Sequence, residues 1–361
     1  MNCLNYNGPV NSLSFGNVSY NILKELYKLE IETCFFPIGS NLDFSAFDKA
    51  DEKFIDWVYK SYQDRFKKLN KENPCLRMWH LNSSETLRSR NQFLYTFYEC
   101  DEPTDTEKSI CSYQNKTIFS SSYSLNAFKK SGCENTSYIP IGFDDDFHQE
   151  EYNKLKDKVH FGLIGKFEKR KHTARILKLW TDKYGNNNEY QLTCCINNPF
   201  FNPEQMKASI DKALDGKSFR NVNILPFLKT NSEMNKLYNS IDINLSGLSG
   251  AEGWNIPAFN STCLGKWSIV LNATSHKDWA NNENSILVEP SGKEEIYDGI
   301  FFNKDKDFNQ GNFYNFSDKD FYNACDNAIS KYGKENSLGV ELKSKFSYNK
   351  TLTKILETIN S

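Results

Sequence analysis

The chain lacks net charge: 44 Lys and Arg stand against 46 Asp and Glu, leaving −2 at pH 7. That near balance excludes a global electrostatic footprint for nucleic acid or an anionic membrane. None of its ten cysteines forms a Cys-x-x-Cys pair. Adjacent Cys194 and Cys195 fall in a strand and point to opposite faces, poor geometry for a disulfide or a zinc site. Reduced thiols and a cytoplasmic location are therefore expected. The sequence does not open on a basic segment followed by an apolar run, so no signal peptide is expected. No stretch approaches the roughly 20 apolar residues of a membrane span. Neither a P-loop nor Gly-x-Gly-x-x-Gly is present, which removes the nearest NTPase and dehydrogenase readings. Gly-x-Ser-x-Gly is missing too, and no repeat shorter than a whole domain is visible.

What is present is enough apolar material for two cores, with 39% hydrophobic residues spread over 361 positions. A chain of this length usually makes two domains. The spacing predicts strands at Leu4 to Val10, Phe35 to Gly39, Cys75 to His80, Phe93 to Tyr98 and Lys116 to Ser120. Helices are predicted at Ser19 to Ile31 and Phe54 to Leu69, with a loop from Asn11 to Asn17 holding Gly16. Polar Gln149 to Lys158 reads as a linker. A second series begins at Val159 to Ile164, with strands at Tyr190, Val222, Ile241 and Trp267 and helices between them. Alternating strands and helices predict an α/β fold with parallel sheets and right-handed crossovers.

Two loops carry the chemistry. Ser249-Gly-Ala-Glu-Gly-Trp-Asn-Ile-Pro-Ala-Phe-Asn260 sets Glu252 against Gly253 at a strand-to-helix turn, with Pro257 suited to the helix start and Gly265 to its end. Such a turn offers backbone N–H groups and the positive end of a helix dipole to an anion. Upstream, Gly165-Lys-Phe-Glu-Lys-Arg-Lys171 closes another apolar strand with a cationic loop. Ligands in open α/β sheets sit at the carboxyl ends of strands, which is where both loops fall.

These segments resemble the C-terminal half of the retaining GT-B glycosyltransferases of family four. That family carries Gly-Arg-x-x-x-x-Lys on one loop and Glu-x7-Glu on the other. Lys166 stands in the arginine place, Lys171 matches the lysine, Glu252 matches the first glutamate and Asn260 replaces the second. Phe15-Gly16, Trp79-His80 and Pro140-Ile-Gly-Phe-Asp144 resemble the family's first glycine loop, strand-end histidine and pre-linker segment, in the same order.

The resemblance implies a GT-B fold of two facing Rossmann-like domains. An acceptor domain would span 1–150, a nucleotide-sugar donor domain 159–335, and a terminal helical segment, 336–361, would cross back onto the first. Lys166, Lys171, Gly16 and Gly253 would hold the donor diphosphate, Asn260 the ribose, and Glu252 and His80 the transferred sugar. Arg170 is a spare cation with no assigned role. The first part has 16 basic against 21 acidic residues and the second 28 against 25, which fits an anionic donor held by the second.

The implied activity is retaining transfer of a sugar from a nucleoside-diphosphate sugar to an acceptor hydroxyl, with no cofactor. Its acceptor would be a glycan, a lipid-linked glycan, a protein or a modified nucleic-acid base. Asp144-Asp-Asp146 superficially resembles the Asp-x-Asp metal motif of GT-A enzymes but follows Pro-x-Gly at a domain end, so no metal is expected. Asn260 in place of the second glutamate motivates the alternative, a catalytically inactive sugar-nucleotide-binding or interaction protein of the same fold.

Overall fold

The structure is a computed structural model, and it describes residues 3–39, 41–151, 155 and 157–361. Residues 152–154 and 156 of the expected linker lie outside the described residues. In the first half, β1 (Cys3–Gly8), β2 (Glu32–Pro37), β3 (Cys75–Met78), β4 (Gln92–Thr96), β5 (Lys116–Phe119) and β6 (Thr136–Tyr138) pair in the order β2-β1-β3-β4-β5-β6. The second half also has six strands, β7 (Val159–Ile164), β8 (Tyr190–Cys195), β9 (Val222–Ile224), β10 (Ile243–Gly247), β11 (Trp267–Leu271) and β12 (Ile286–Val288), but in the different order β12-β11-β10-β7-β8-β9. All pairings in both sheets are parallel. Their central strands are buried on both faces, as parallel sheets covered by helices require.

One apolar core follows the second sheet through Phe161, Trp180, Leu245 and Phe321. Another starts from the first sheet at Leu4, Tyr6 and Leu76 and runs without a break into Trp254, Phe259 and Phe346 of the second half. The final helix, Tyr348–Asn360, packs on the first, Ser14–Lys28. Thr351 Oγ1 donates to Pro140 O at 2.8 Å and Phe143 N to Phe346 O at 2.7 Å. At that crossing a Cβ on Gly142 would stand 2.2 Å from Tyr348 N, so only glycine lets the chains pass.

Several elements went unforeseen, the short strands β6 and β12 among them. Helices Asp105–Tyr113, Ser122–Lys130 and Ser337–Lys345 are short and bury few apolar side chains, so their periodicity is faint. The antiparallel hairpin of β13 (Gly292–Glu295) and β14 (Asn312–Asn315) has a fully exposed first strand and a long connection. The helix expected over Phe54 to Leu69 breaks at Asp64 into Glu52–Gln63 and Arg65–Lys68. Among the described residues no helix is long and apolar enough to cross a membrane.

Candidate active site

β7 is followed by Gly165, whose φ of +141° turns the chain out of the sheet into the cationic loop. Thr173 Oγ1 donates back to Lys166 O at 3.1 Å and folds that loop over the start of helix Thr173–Tyr184. β10 delivers the second loop beside it. Gly250 N donates to Arg170 O at 2.8 Å and Gly250 O accepts from Tyr314 N at 2.9 Å, pinning the two loops to β14. A Cβ on Gly250 would stand 2.1 Å from Tyr314 O, so no other residue fits without displacing backbone.

The turn closes at Asn255, held at φ +67° and capping helix Ile256–Cys263. Pro257 takes the second helical position rather than the first. Asn255 Nδ2 donates to Ser246 O and to His276 Nε2, both at 2.9 Å. His276 Nδ1 faces Leu271 O at 2.9 Å and must carry the proton there, which leaves Nε2 as the acceptor. The ring is fully buried, and burial lowers its pKa to about 4, so it stays neutral.

Charge concentrates between these loops. Lys171 Nζ donates to Glu252 Oε1, and Arg170 Nη1 lies 3.3 Å from Glu252 Oε2. Arg170 Nε lies 2.9 Å from Glu168 Oε2, and Lys166 Nζ lies 3.3 Å from Glu168 Oε1. Arg170 also donates to Ala251 O. Burial works against the charge on Glu252, but Lys171 and Arg170 more than offset it and hold its pKa at about 2. Glu168 is likewise buried and held below its ordinary range by Arg170, Lys171 and Lys166. Arg170 itself is raised, since Glu168 and Glu252 outweigh its desolvation.

The first half faces this cluster with the carboxyl ends of β3, β4 and β5. His80 lies two residues past β3, its ring 4.1 Å from that of Phe15 and 5.1 Å from that of Trp79. The residue is exposed, yet these rings crowd it. Desolvation and the positive charge of Lys166 both lower its pKa, which sets the two residues within electrostatic reach across the gap. Beyond β4, burial raises the pKa of Glu99 against the pull of Arg170. Ser120 Oγ, just past β5, donates to Gly253 O at 2.8 Å.

The sequence matches no family model and no curated protein. Solved structures do match. Anabaena Alr3699/HepE in complex with UDP is 13% identical, with 100% of each chain covered and a TM-score of 0.66. Sucrose-phosphate synthase from Thermosynechococcus elongatus is 10% identical, with 99% of this chain and 98% of that one covered and a TM-score of 0.68. The lipopolysaccharide outer core galactosyltransferase WaaB in its apo form is 15% identical, with 100% and 99% covered and a TM-score of 0.61.

The fold is GT-B.

In this GT-B chain the expected residues fall unequally. Glu252, Lys171 and Lys166 meet in one ion-pair network, and His80 faces it from the other half. Gly16 departs from expectation. It lies not in a loop but in the first turn of helix Ser14–Lys28, where a Cβ would stand 2.3 Å from Asn11 Oδ1 and 2.4 Å from Asn11 O. Close packing on Asn11 is what requires glycine there. Gly253 turns its α-carbon toward Phe97, where a Cβ would come within 2.9 Å of that side chain. Asn260 is only 2% exposed and keeps company with the Tyr238 phenol.

Asp144 and Asp146 are tied to neighbours. Asp144 Oδ2 accepts from Asn17 Nδ2 at 3.1 Å, and Asp146 Oδ2 accepts from Asn231 Nδ2 at 3.0 Å while Lys24 Nζ sits 3.3 Å from its other oxygen. Sequence reasoning missed Glu168, Glu99, His276 and Asn255, and left Arg170 without a role. The one available signal was Asn255, a preferred N-cap residue directly before the helix.

Proposed function

We propose that this protein is a retaining glycosyltransferase that moves a sugar from a nucleoside-diphosphate sugar, UDP-linked by analogy with the Alr3699/HepE complexes, to an acceptor hydroxyl. One observation carries the reading. Glu252 is held as a buried carboxylate by Lys171 and Arg170 at the mouth of a helix N-terminus, opposite His80.

In this reading Glu252 accepts hydrogen bonds from hydroxyls of the transferred sugar, and its depressed pKa keeps it an acceptor throughout the physiological range. Lys166 and Lys171 take the negative charge that develops on the departing β-phosphate. That phosphate receives the acceptor's proton as the glycosidic bond forms on the same face. No side-chain nucleophile is needed. His80, kept neutral, donates or accepts at the sugar without adding positive charge beside the forming oxocarbenium centre. The lysines stand in for a metal ion in this scheme. Asn260 reaches the ribose only if it exchanges its Tyr238 partner.

The test is hydrolysis or transfer with UDP-, GDP-, ADP- and CMP-sugars, with and without EDTA. Release of nucleotide from one donor, insensitive to chelation, is the expected result. Complete loss on chelation, restored by Mn²⁺, would remove the metal-free scheme. Binding of a donor with no nucleotide released would favour the binding-protein alternative, for which the buried, uncharged Asn260 speaks.

A further inference from the structure

The segment between β12 and helix Asp318–Ser330 does more than connect them. Its hairpin reaches across to the first half and grips the chain just past β4. Lys293 Nζ lies 2.6 Å from Asp101 Oδ2, and Asn312 N donates to Asp101 Oδ1 at 2.8 Å. Asn312 Nδ2 adds bonds to Asp101 at 3.3 Å and Glu102 at 3.1 Å. Farther along, Asn309 N donates to Glu107 Oε1 at 2.9 Å. Beneath these polar contacts Ile296, Phe302 and Phe313 share an apolar cluster with Leu81, Tyr98 and Ile110 of the first half.

Gly311 is an independent sign that this grip is built. Its φ is +125°, and a Cβ there would stand 2.3 Å from Asp101 Oδ1. The hairpin therefore approaches Asp101 more closely than any side chain would permit.

The other face of the same segment holds the cationic loop. Lys169 Nζ donates to Glu295 O at 2.8 Å and Tyr297 O at 3.0 Å, and His172 Nε2 meets Tyr314 O at 2.8 Å. One hairpin thus bridges the loop carrying Lys166 and Lys171 to the strand end carrying Glu99.

We propose that Asp101 is a positioning residue. Held by Lys293 and Asn312, it sets the gap between His80 on one half and Glu252 on the other, so the halves work clasped along this edge rather than swinging freely. The clasp is a property of the fold; its effect on turnover rests on the transferase reading above.

The experiment compares the full chain with Asp101→Ala and Asp101→Asn, since asparagine keeps the acceptor for Asn312 N and loses only the pairing with Lys293. Small-angle scattering should show a larger radius of gyration for Asp101→Ala and a near-parental one for Asp101→Asn. With UDP-glucose as donor, Asp101→Ala should lose at least tenfold in kcat with KM for the donor within threefold, and Asp101→Asn should recover most of the loss. Superimposable scattering curves for the parent and Asp101→Ala would overturn the clasp. A matched rise in KM and fall in stability with kcat unchanged would overturn the positioning role. An inactive parent whose scattering still responds to Asp101→Ala would keep the clasp and sink the transferase reading alone.

Discussion

Lys171 Nζ donates to Glu252 Oε1 although 81 residues separate the two in sequence, and each comes from the carboxyl end of a different strand of one sheet. The cation and the carboxylate satisfy each other. A nucleoside-diphosphate sugar would divide them, phosphate taking the lysine and sugar hydroxyls taking the glutamate.

Lys171→Ala and Lys166→Ala should therefore each lower turnover at least tenfold while the chain stays folded. A charge-assisted contact to a phosphate is worth about 1.5–3 kcal/mol. Steady-state kinetics with the donor identified by the nucleotide panel checks this. Unchanged turnover in the double variant would put the chemistry elsewhere.

Arg170→Met should cost more stability than either lysine variant. Arg170 is buried between Glu168 and Glu252, and removing one partner of a buried ion pair costs about 3–5 kcal/mol because the remaining charges stay desolvated. Arg170→Lys should recover less than half of that, since an ammonium lacks the planar fork that reaches two carboxylates and Ala251 O together. Thermal melts of the parent, the two Arg170 variants and the two lysine variants decide it.

Stability should fall as pH is lowered from 7 toward 5, in part through His276. Folded, its pKa sits at about 4 because the ring is desolvated, whereas an unfolded histidine titrates near 6.5. Between those values only the unfolded chain takes up the proton. Stability present above pH 6.5 is therefore lost as pH falls toward 4, by at most about 3 kcal/mol for this one group. Asp144 works in the opposite direction, its carboxyl pushed up to about 6 by burial and by Asp146. The informative measurement is accordingly the difference between the parent and His276→Gln, whose melting temperature should depend less steeply on pH. Parallel slopes would contradict the assignment.

Gly250→Ala should destabilise the chain severely, because the new methyl would overlap the backbone oxygen of Tyr314. Gly292→Ala, at a position with open space around it, should melt within about a degree of the parent. Equal melting temperatures for the two variants would refute the close approach of the second loop to β14.

The element series was largely legible in the sequence because buried parallel strands are short, continuous apolar runs. Val159–Ile164 and Trp267–Leu271 appear at the bounds that their apolar residues mark. The two cationic and acidic loops were legible for a related reason: a strand that ends on glycine and charge leaves those charges at its carboxyl end. Gly16 misled because glycine marks a close approach without saying what approaches. A tight loop and a helix turn packed on Asn11 ask for the same residue.

By itself, then, the sequence determined that there would be two parallel sheets, roughly where most of their strands would run, and that Lys166, Lys171 and Glu252 would stand just past two of them. Those properties depend on local patterning. Tertiary structure alone decided that Arg170 is buried, that Asn260 is buried beside Tyr238, that His276 fixes Asn255, and that Asp101 is gripped by a hairpin. Each of these depends on which distant segment packs against the residue. A charged or polar side chain reads the same in sequence whether it meets water or a partner, and only the assembled fold supplies the partner.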